Sequence, residues 1–234
     1  MVDQFLTERI DMAHESIRGL ASEYFKNEHS ILVYSNSQLV FKSILQAWTE
    51  QKSTKSGNFQ IFVVDTFPDS EGRKMMTELK NYEIPYCRIN LASVPRVMPK
   101  IDLVILGAYS VLSNSNVISC SGSASIANNA RMFAKRVIVC AETCKFNMQN
   151  QSDSFEYNEL NNPNIIVEKI CQNRDLSTGD IDRIRNWRDL KSNITVVDPL
   201  YDVIPGNMIK GICCEFGIIA PTAVSYVSHV KQPY

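Results

Sequence analysis

Hydroxyl and amide side chains recur in this sequence directly after apolar runs, the positions from which a chain holds a polar ligand or an anion. Ser35, Asn36 and Ser37 close ILVYSNS, Asp65 ends QIFVVD, Tyr109 and Asn114 follow LVILG, and Ser121, Gly122 and Ser123 open a helical segment. If those runs are parallel strands, all of these residues stand beyond carboxyl ends, around the crevice where open parallel sheets bind ligands. Ser37, Ser121 and Ser123 also precede helices, whose free amides favour an anion. Ordinary capping uses the same residue types, so capping and anion binding both remain open.

Other chemistries find weaker support. Asp65 has the position of a ribose-hydroxyl acceptor, but no G-x-G-x-x-G follows the first strand, which speaks against NAD. Arg73 and Lys74 at a helix start fit a phosphate clamp, or equally a solvated helix face. Ser123 in SGSAS lacks the second glycine of a nucleophile elbow and has no histidine nearby, so a serine hydrolase is not indicated. The seven cysteines are odd in number, irregularly spaced and without a Cys-x-x-Cys pair, so neither a disulfide framework nor a zinc ribbon is expected. Cys87, Cys140, Cys213 and Cys214 lie in apolar runs and read as small apolar side chains. His14, His29 and His229 are scattered, and no metal or other cofactor is expected.

The elements that must position the crevice are legible from periodicity. Phe5, Ile10, Ala13, Ile17, Leu20, Ala21 and Tyr24 recur at helical spacing, which predicts an amphipathic helix leading into the domain. Short runs rich in β-branched residues follow at 31–35, 60–65, 84–90, 103–107 and 136–140, with helices expected at 37–50, 71–81 and 122–134. The fold class is therefore α/β, a Rossmann-like parallel sheet covered by helices on both faces. Residues 1–28 form the amino-terminal helix and 29–234 the Rossmann-like domain, with a polar surface excursion at 147–192. ITVVDPLYDVIP resumes a strand, and MIKGICCEFG reads as a short helix stopped near Gly217. Tyr201, Val203, Ile204, Met208, Ile209, Ile212, Phe216, Ile218 and Ile219 crowd this last part, as a further core layer or as an interface.

Composition bounds the function. With 234 residues, 44% of them hydrophobic, the chain is long enough for a real core, and 24 basic against 25 acidic residues give no footprint of a nucleic-acid binder. MVDQFLTERID has no signal-peptide apolar region and no run is long enough to span a bilayer, so a cytoplasmic protein without membrane contact is expected.

The stretch Leu103 to Phe146, with FVVDTFPDSEGRKM, CAETCKF, the Asn158-Glu159-Leu160 and Pro163 loop, Trp187 with Leu190, and VVDPLYDVIP through CEFGIIAPTAV, resembles a known domain. It is the one shared by the alpha, beta and delta subunits of eukaryotic translation initiation factor 2B, and these segments narrow the resemblance to delta. Relatives of that family include sugar-phosphate aldose-ketose isomerases. Those carry a cysteine after the first strand, an aspartate in a Gly-Ala-Asp triplet and a lysine before the helix that starts at Gly122. This chain has Ser35, Tyr109 and Cys120 at the matching positions. A serine hydroxyl, or a phenol with a pKa of about 10, exchanges protons poorly near neutrality.

The resemblance thus implies a non-catalytic scaffold and regulatory subunit of a guanine-nucleotide exchange factor. Its pocket of Ser35, Asn36, Ser37, Tyr109, Asn114, Ser121, Gly122 and Ser123 would be vestigial. The alternative is an isomerase or a small-ligand-sensing relative of the same fold. Implied partners are the beta subunit first, then gamma and epsilon, and the alpha subunit of initiation factor 2 in its phosphorylated state. The isolated chain is expected to homodimerise in place of its beta partner or to be poorly soluble. Tyr201, Ile204, Met208, Ile209, Ile212 and Phe216 are the implied sister-subunit surface. Glu8 and Met12, four apart on one helical face, are implied to meet the alpha subunit of initiation factor 2; a core Met12 and a solvated Glu8 fit the pattern equally. Delta subunits of the family carry a long upstream region, whereas this sequence begins one helix before the first strand.

Overall fold

A computed structural model of the chain describes residues 10–25, 28–54, 59–66, 71–151, 153, 158–172, 177–188 and 197–230. Its frame is a seven-stranded sheet built from β1 (Ser30–Tyr34), β2 (Gln60–Asp65), β3 (Tyr86–Asn90), β4 (Leu103–Gly107), β7 (Arg136–Cys140), β10 (Gly211–Cys214) and β11 (Gly217–Ile219). The spatial order is β11-β10-β7-β4-β1-β2-β3, parallel throughout except for β11, which returns antiparallel to β10. From β1 the chain proceeds outward to β2 and β3, then crosses back to β4 on the other side of β1. The switch point therefore lies between β1 and β4.

Alternation along each strand distributes side chains to two cores. Ile31 and Val33 of β1, Leu103 and Ile105 of β4, and Ile138 and Cys140 of β7 enter one core with Ile17, Phe25, Val40, Ile44, Met75 and Leu79. Those partners come from α1 (Met12–Phe25), α2 (Gln38–Thr54) and α3 (Glu71–Asn81). Leu32 and Tyr34, Val104 and Leu106, and Val137 and Val139 enter the other core. There they meet α4 (Val94–Val97), α5 (Ser123–Met132) and a second sheet. The expected leading helix is described from Met12. It buries Ala13, Ile17, Ala21 and Phe25, each four residues after the last, while Leu20, expected on that face, is exposed.

The second sheet departs from expectation. The stretch between Ala108 and Ser121, where neither strand nor helix is expected, is a hairpin of β5 (Ser110–Leu112) and β6 (Val117–Cys120). β8 (Phe146–Asn147) flanks it on one side and β9 (Tyr201–Ile204) on the other, in the order β8-β5-β6-β9. The excursion expected from residue 147 thus starts inside a sheet. Its described part also contains two helices, α6 (Pro163–Cys171) and α7 (Thr178–Arg185).

GICC, expected as helical, is strand β10. All four of its residues are buried, and a Cβ on Gly211 would lie 2.8 Å from Ile218, so the extended run fits between β7 and β11 where a helix would not. The chain closes with α8 (Val224–Val230). Among the described residues no helix is long and apolar enough to cross a membrane.

Candidate functional site

At the switch point β1 ends on Tyr34 and β4 on Gly107. Ser35 then adopts φ 63°, a left-handed conformation that a residue with a Cβ takes at a cost of about 1–2 kcal/mol. This turn lets Ser37 cap α2, its Oγ accepting from Val40 N at 3.4 Å. A Cβ on Gly107 would fall 2.8 Å from Ser37 Oγ, so glycine there permits the close approach of β4 and α2.

The cleft beyond these ends has two lobes of about 490 and 550 Å³ that share Tyr34, Ser35, Cys120 and Leu200 as walls. Between the lobes Cys120 Sγ lies 3.4 Å from Ser35 Oγ. The smaller lobe adds Thr66, Glu71, Gly72, Ser121, Gly122, Asn161 and Asp198; the larger adds Asn36, Ser37, Tyr109, Glu142, Lys145, His14 and Tyr201. Tyr34 fixes the floor by donating its hydroxyl to Ser121 O. Directly beneath it Gly122 has φ 100°, and a Cβ there would meet that hydroxyl at 2.7 Å, so this position needs glycine twice over.

The amides at the start of α5, where an anion would seat, already have a partner. Asp202 Oδ2 accepts from Gly122 N at 2.6 Å and from Ala124 N at 3.2 Å, a carboxylate supplied by β9. Of the capping and anion-binding readings, capping describes this helix end, though by Asp202 instead of Ser121 or Ser123.

Two further clusters shape the larger lobe. Tyr109 and Tyr201 stack with ring centroids 4.4 Å apart, Tyr109 being 56% exposed at the mouth. Burial, together with Tyr109, pushes the Tyr201 hydroxyl up to about 12. Buried Glu142 meets His14 Nε2 of α1 with one oxygen, at 2.5 Å, and Lys145 Nζ with the other, at 2.9 Å. Burial alone would raise its carboxyl, but the Lys145 ammonium, backbone hydrogen bonding and His14 together hold it below the ordinary value. At neutral pH Glu142 is therefore ionised and Tyr201 protonated, and neither is poised to exchange a proton.

Ser35, Asn36, Ser37 and Tyr109 come together in the larger lobe, and Ser35, Ser121 and Gly122 in the smaller. Two expected members do not join them. Asn114 sits in the β5–β6 turn, bonded to Gln151 O at 3.1 Å and to Asn116 N at 3.1 Å, because the hairpin carries it to the far end of the second sheet. Ser123 points into the core, fully buried, and donates to Ser119 Oγ at 3.1 Å. Asp65 is buried at the end of β2 and pairs with Arg88 at 2.6 Å, as a structural ion pair on the sheet edge. Arg73 and Lys74 are exposed, Lys74 pairing with Glu71 at 2.8 Å, which matches the solvated face.

Sequence reasoning missed His14, Glu142, Lys145 and Leu200 as cleft residues and Asp202 as the cap of α5. Only the i,i+3 pair Glu142 and Lys145 in CAETCKF carried a local signal.

The expected partner surface divides. Ile204, Ile209 and Ile212 are buried in this chain's own core, so on these residues the further-layer reading describes the structure. Tyr201 and Met208 are half-buried. Phe216, at the β10–β11 turn, is 60% exposed, and Met12 on α1 is 59% exposed. Glu8 lies outside the described residues. Among the described residues no group of three His, Cys, Asp or Glu side chains is arranged to hold a metal ion.

Residues 1–221 match the family described as the initiation factor 2 subunit family. Over 226 residues the chain is 33% identical to translation initiation factor eIF2B subunit delta of Dictyostelium discoideum, covering 97% of this chain and 35% of that protein. Over 234 residues it is 28% identical to the subunit of the same name of Schizosaccharomyces pombe, covering all of this chain and 48% of that one. The chain thus spans between a third and a half of the length of these relatives. In fold it is similar to the tetrameric eIF2B-beta2-delta2 complex from C. thermophilum, with a TM-score of 0.71 at 24% identity, over 92% of this chain and 59% of that one.

Proposed function

This chain belongs to the initiation factor 2 subunit family, and from that premise we propose that it is a delta-type, non-catalytic scaffold and regulatory subunit of the guanine-nucleotide exchange factor for translation initiation factor 2. The observation that carries this reading is the chemistry of the cleft. Asp202 takes the α5 amides that an anionic substrate would seek, and Ser35, Tyr109 and Cys120 line the cleft where, by the resemblance, the related isomerases would carry their proton-moving and substrate-holding groups. A positioned acid–base group is worth about 10²–10⁴-fold in rate, and two are replaced here.

In this reading the chain pairs first with the beta subunit, through exposed Phe216 and the half-buried Tyr201 and Met208 of the same carboxyl-terminal stretch. The pair helps to hold gamma and epsilon. The α1 face bearing Met12, with Glu8 before it, contributes to sensing the phosphorylated alpha subunit of initiation factor 2. The work is cytoplasmic, with no cofactor and no direct nucleic-acid contact, and the isolated chain forms a homodimer in place of the heterodimer.

The test is co-expression of the full chain with beta, gamma and epsilon subunits, followed by native mass measurement and by nucleotide exchange on initiation factor 2. The expected result is a stable complex whose exchange activity is inhibited by the phosphorylated alpha subunit, with Phe216→Asp weakening assembly. Recovery of the chain alone, or turnover of an aldose 1-phosphate by the pure protein, overturns the proposal.

A further inference from the structure

Leu200 is a wall of both lobes of the cleft, and it belongs to a strap that lies outside the two sheets. The strap is a short antiparallel ribbon in which residues 158–161 run beside 197–201. Leu200 N donates to Glu159 O at 2.8 Å, Asn161 N donates to Asp198 O at 2.8 Å, and Leu160 bridges Pro199. Asn158 clamps Tyr201 from both sides, its Nδ2 donating to the Tyr201 carbonyl at 2.6 Å and its Oδ1 accepting from the Tyr201 amide at 3.2 Å. On the body side Ser121 N donates to Leu200 O at 3.1 Å, and from Tyr201 onward the chain is β9, paired with β6.

Helix α6 continues from the first strand of this ribbon, and α7 packs against α6. Val167 and Cys171 of α6 are buried, and Cys171 Sγ lies 3.8 Å from Ile181 O of α7. Among the described elements, the substantial packing of these two helices is with each other alone. Among the described residues, the pair is thus tied to the body chiefly through the strap.

We infer that the strap and its helix pair form a hinged lid on the cleft, turning about the start of β9. With the strap down, Leu200 separates the two lobes. Lifting it breaks the Ser121–Leu200 bond and withdraws Leu200, while every strand pair of both sheets stays intact. Segments with few core contacts and few bonds to the body open at the low-stability end of a fold. A partner that grips α6 and α7 thereby sets access to the cleft, and an occupant of both lobes displaces the helix pair. This inference does not depend on whether the chain assembles with sister subunits.

The protein carries its own reporters. Cys120 is exposed on the wall shared with Leu200, whereas Cys144 is exposed but lines neither lobe. The experiment measures alkylation of both by a bulky maleimide and by a small methanethiosulfonate, located by peptide mass spectrometry, in the parent chain and in Asn158→Ala. Native-state amide exchange is followed alongside. The amides of Asn161 and Leu200 should exchange with those of α6 and α7 as one unit, about tenfold or more faster than β1 and β4. Asn158→Ala should speed bulky labelling of Cys120 by about fivefold or more and leave Cys144 and the sheet amides unchanged.

Strap amides protected as well as the sheet in the parent overturn the lid, whatever the variant does. So does bulky labelling of Cys120 that Asn158→Ala leaves unchanged. Faster labelling of buried Cys140 and Cys213 together with Cys120 also overturns it, since Asn158 would then support the whole fold. If the variant does not fold, the exchange pattern of the parent decides between the two outcomes.

Discussion

Replacing Asp202 by alanine removes the side chain that holds the first turn of α5, and the loss can be sized from its two bonds. Gly122 has no side chain to take over, and Ser123 is turned inward to Ser119. Truncating an N-cap costs about 0.5–2 kcal/mol. Hydrogen bonds to an ionised group contribute about 1.5–3 kcal/mol each, and here one bond is short, at 2.6 Å, and the other long, at 3.2 Å. Asp202 is only half-buried, so water reaches the freed amides and the loss stays near the top of the capping range, about 2 kcal/mol. For a chain of this length that is a drop in Tm of about 4–8 °C. Urea denaturation should show a lower midpoint at an unchanged slope, because the surface exposed on unfolding is the same. Asp202→Asn keeps an acceptor and loses the charge, and should fall between the parent and Asp202→Ala. The freed helix end is an anion seat, so sulfate should raise the Tm of Asp202→Ala more than that of the parent. An alanine variant within about 0.5 kcal/mol of the parent, or an equal response to sulfate, would refute the capping role.

Glu142, held below the ordinary carboxyl value, contributes stability that is full above its unfolded pKa of about 4.3 and is lost as pH falls through the folded value. Calorimetry across the acid range should therefore show a shallower acid limb for Glu142→Gln than for the parent. Ile212→Ala, in the core, should cost about 2–5 kcal/mol in urea denaturation. Phe216→Ala should cost the folded chain about 0.5 kcal/mol or less but weaken subunit association in sedimentation by about 2 kcal/mol; the reverse ranking would exchange core and surface. Gly122→Ala combines a left-handed φ with a methyl 2.7 Å from the Tyr34 hydroxyl, and should lower stability by about 2 kcal/mol or more. Unfolding at the parent's midpoint would mean that the floor of the cleft yields more easily than its geometry implies.

Local pattern alone determined the parallel sheet, because β-branched runs such as ILVYS and RVIVC alternate between two cores and need no distant partner to be recognised. The same holds for the buried face of α1 and for a crevice bounded by Ser35 and Tyr109, since strand ends fix where loops must lie. The second sheet was decided only in three dimensions. Its strands are two to four residues long, too short for a period to register, and they exist because Val111 meets Phe146 and Val117 meets Ile204. That pairing carried Asn114 away from the cleft and sealed Ile204 in the core, while Phe216, equally apolar, was left on a turn. The cleft's electrostatics were decided the same way. Asp202 reaches the α5 amides across 80 positions and His14 reaches Glu142 across 128, so neither pairing leaves a trace in local sequence. Periodicity reports which face of an element is buried, and packing alone selects what it is buried against.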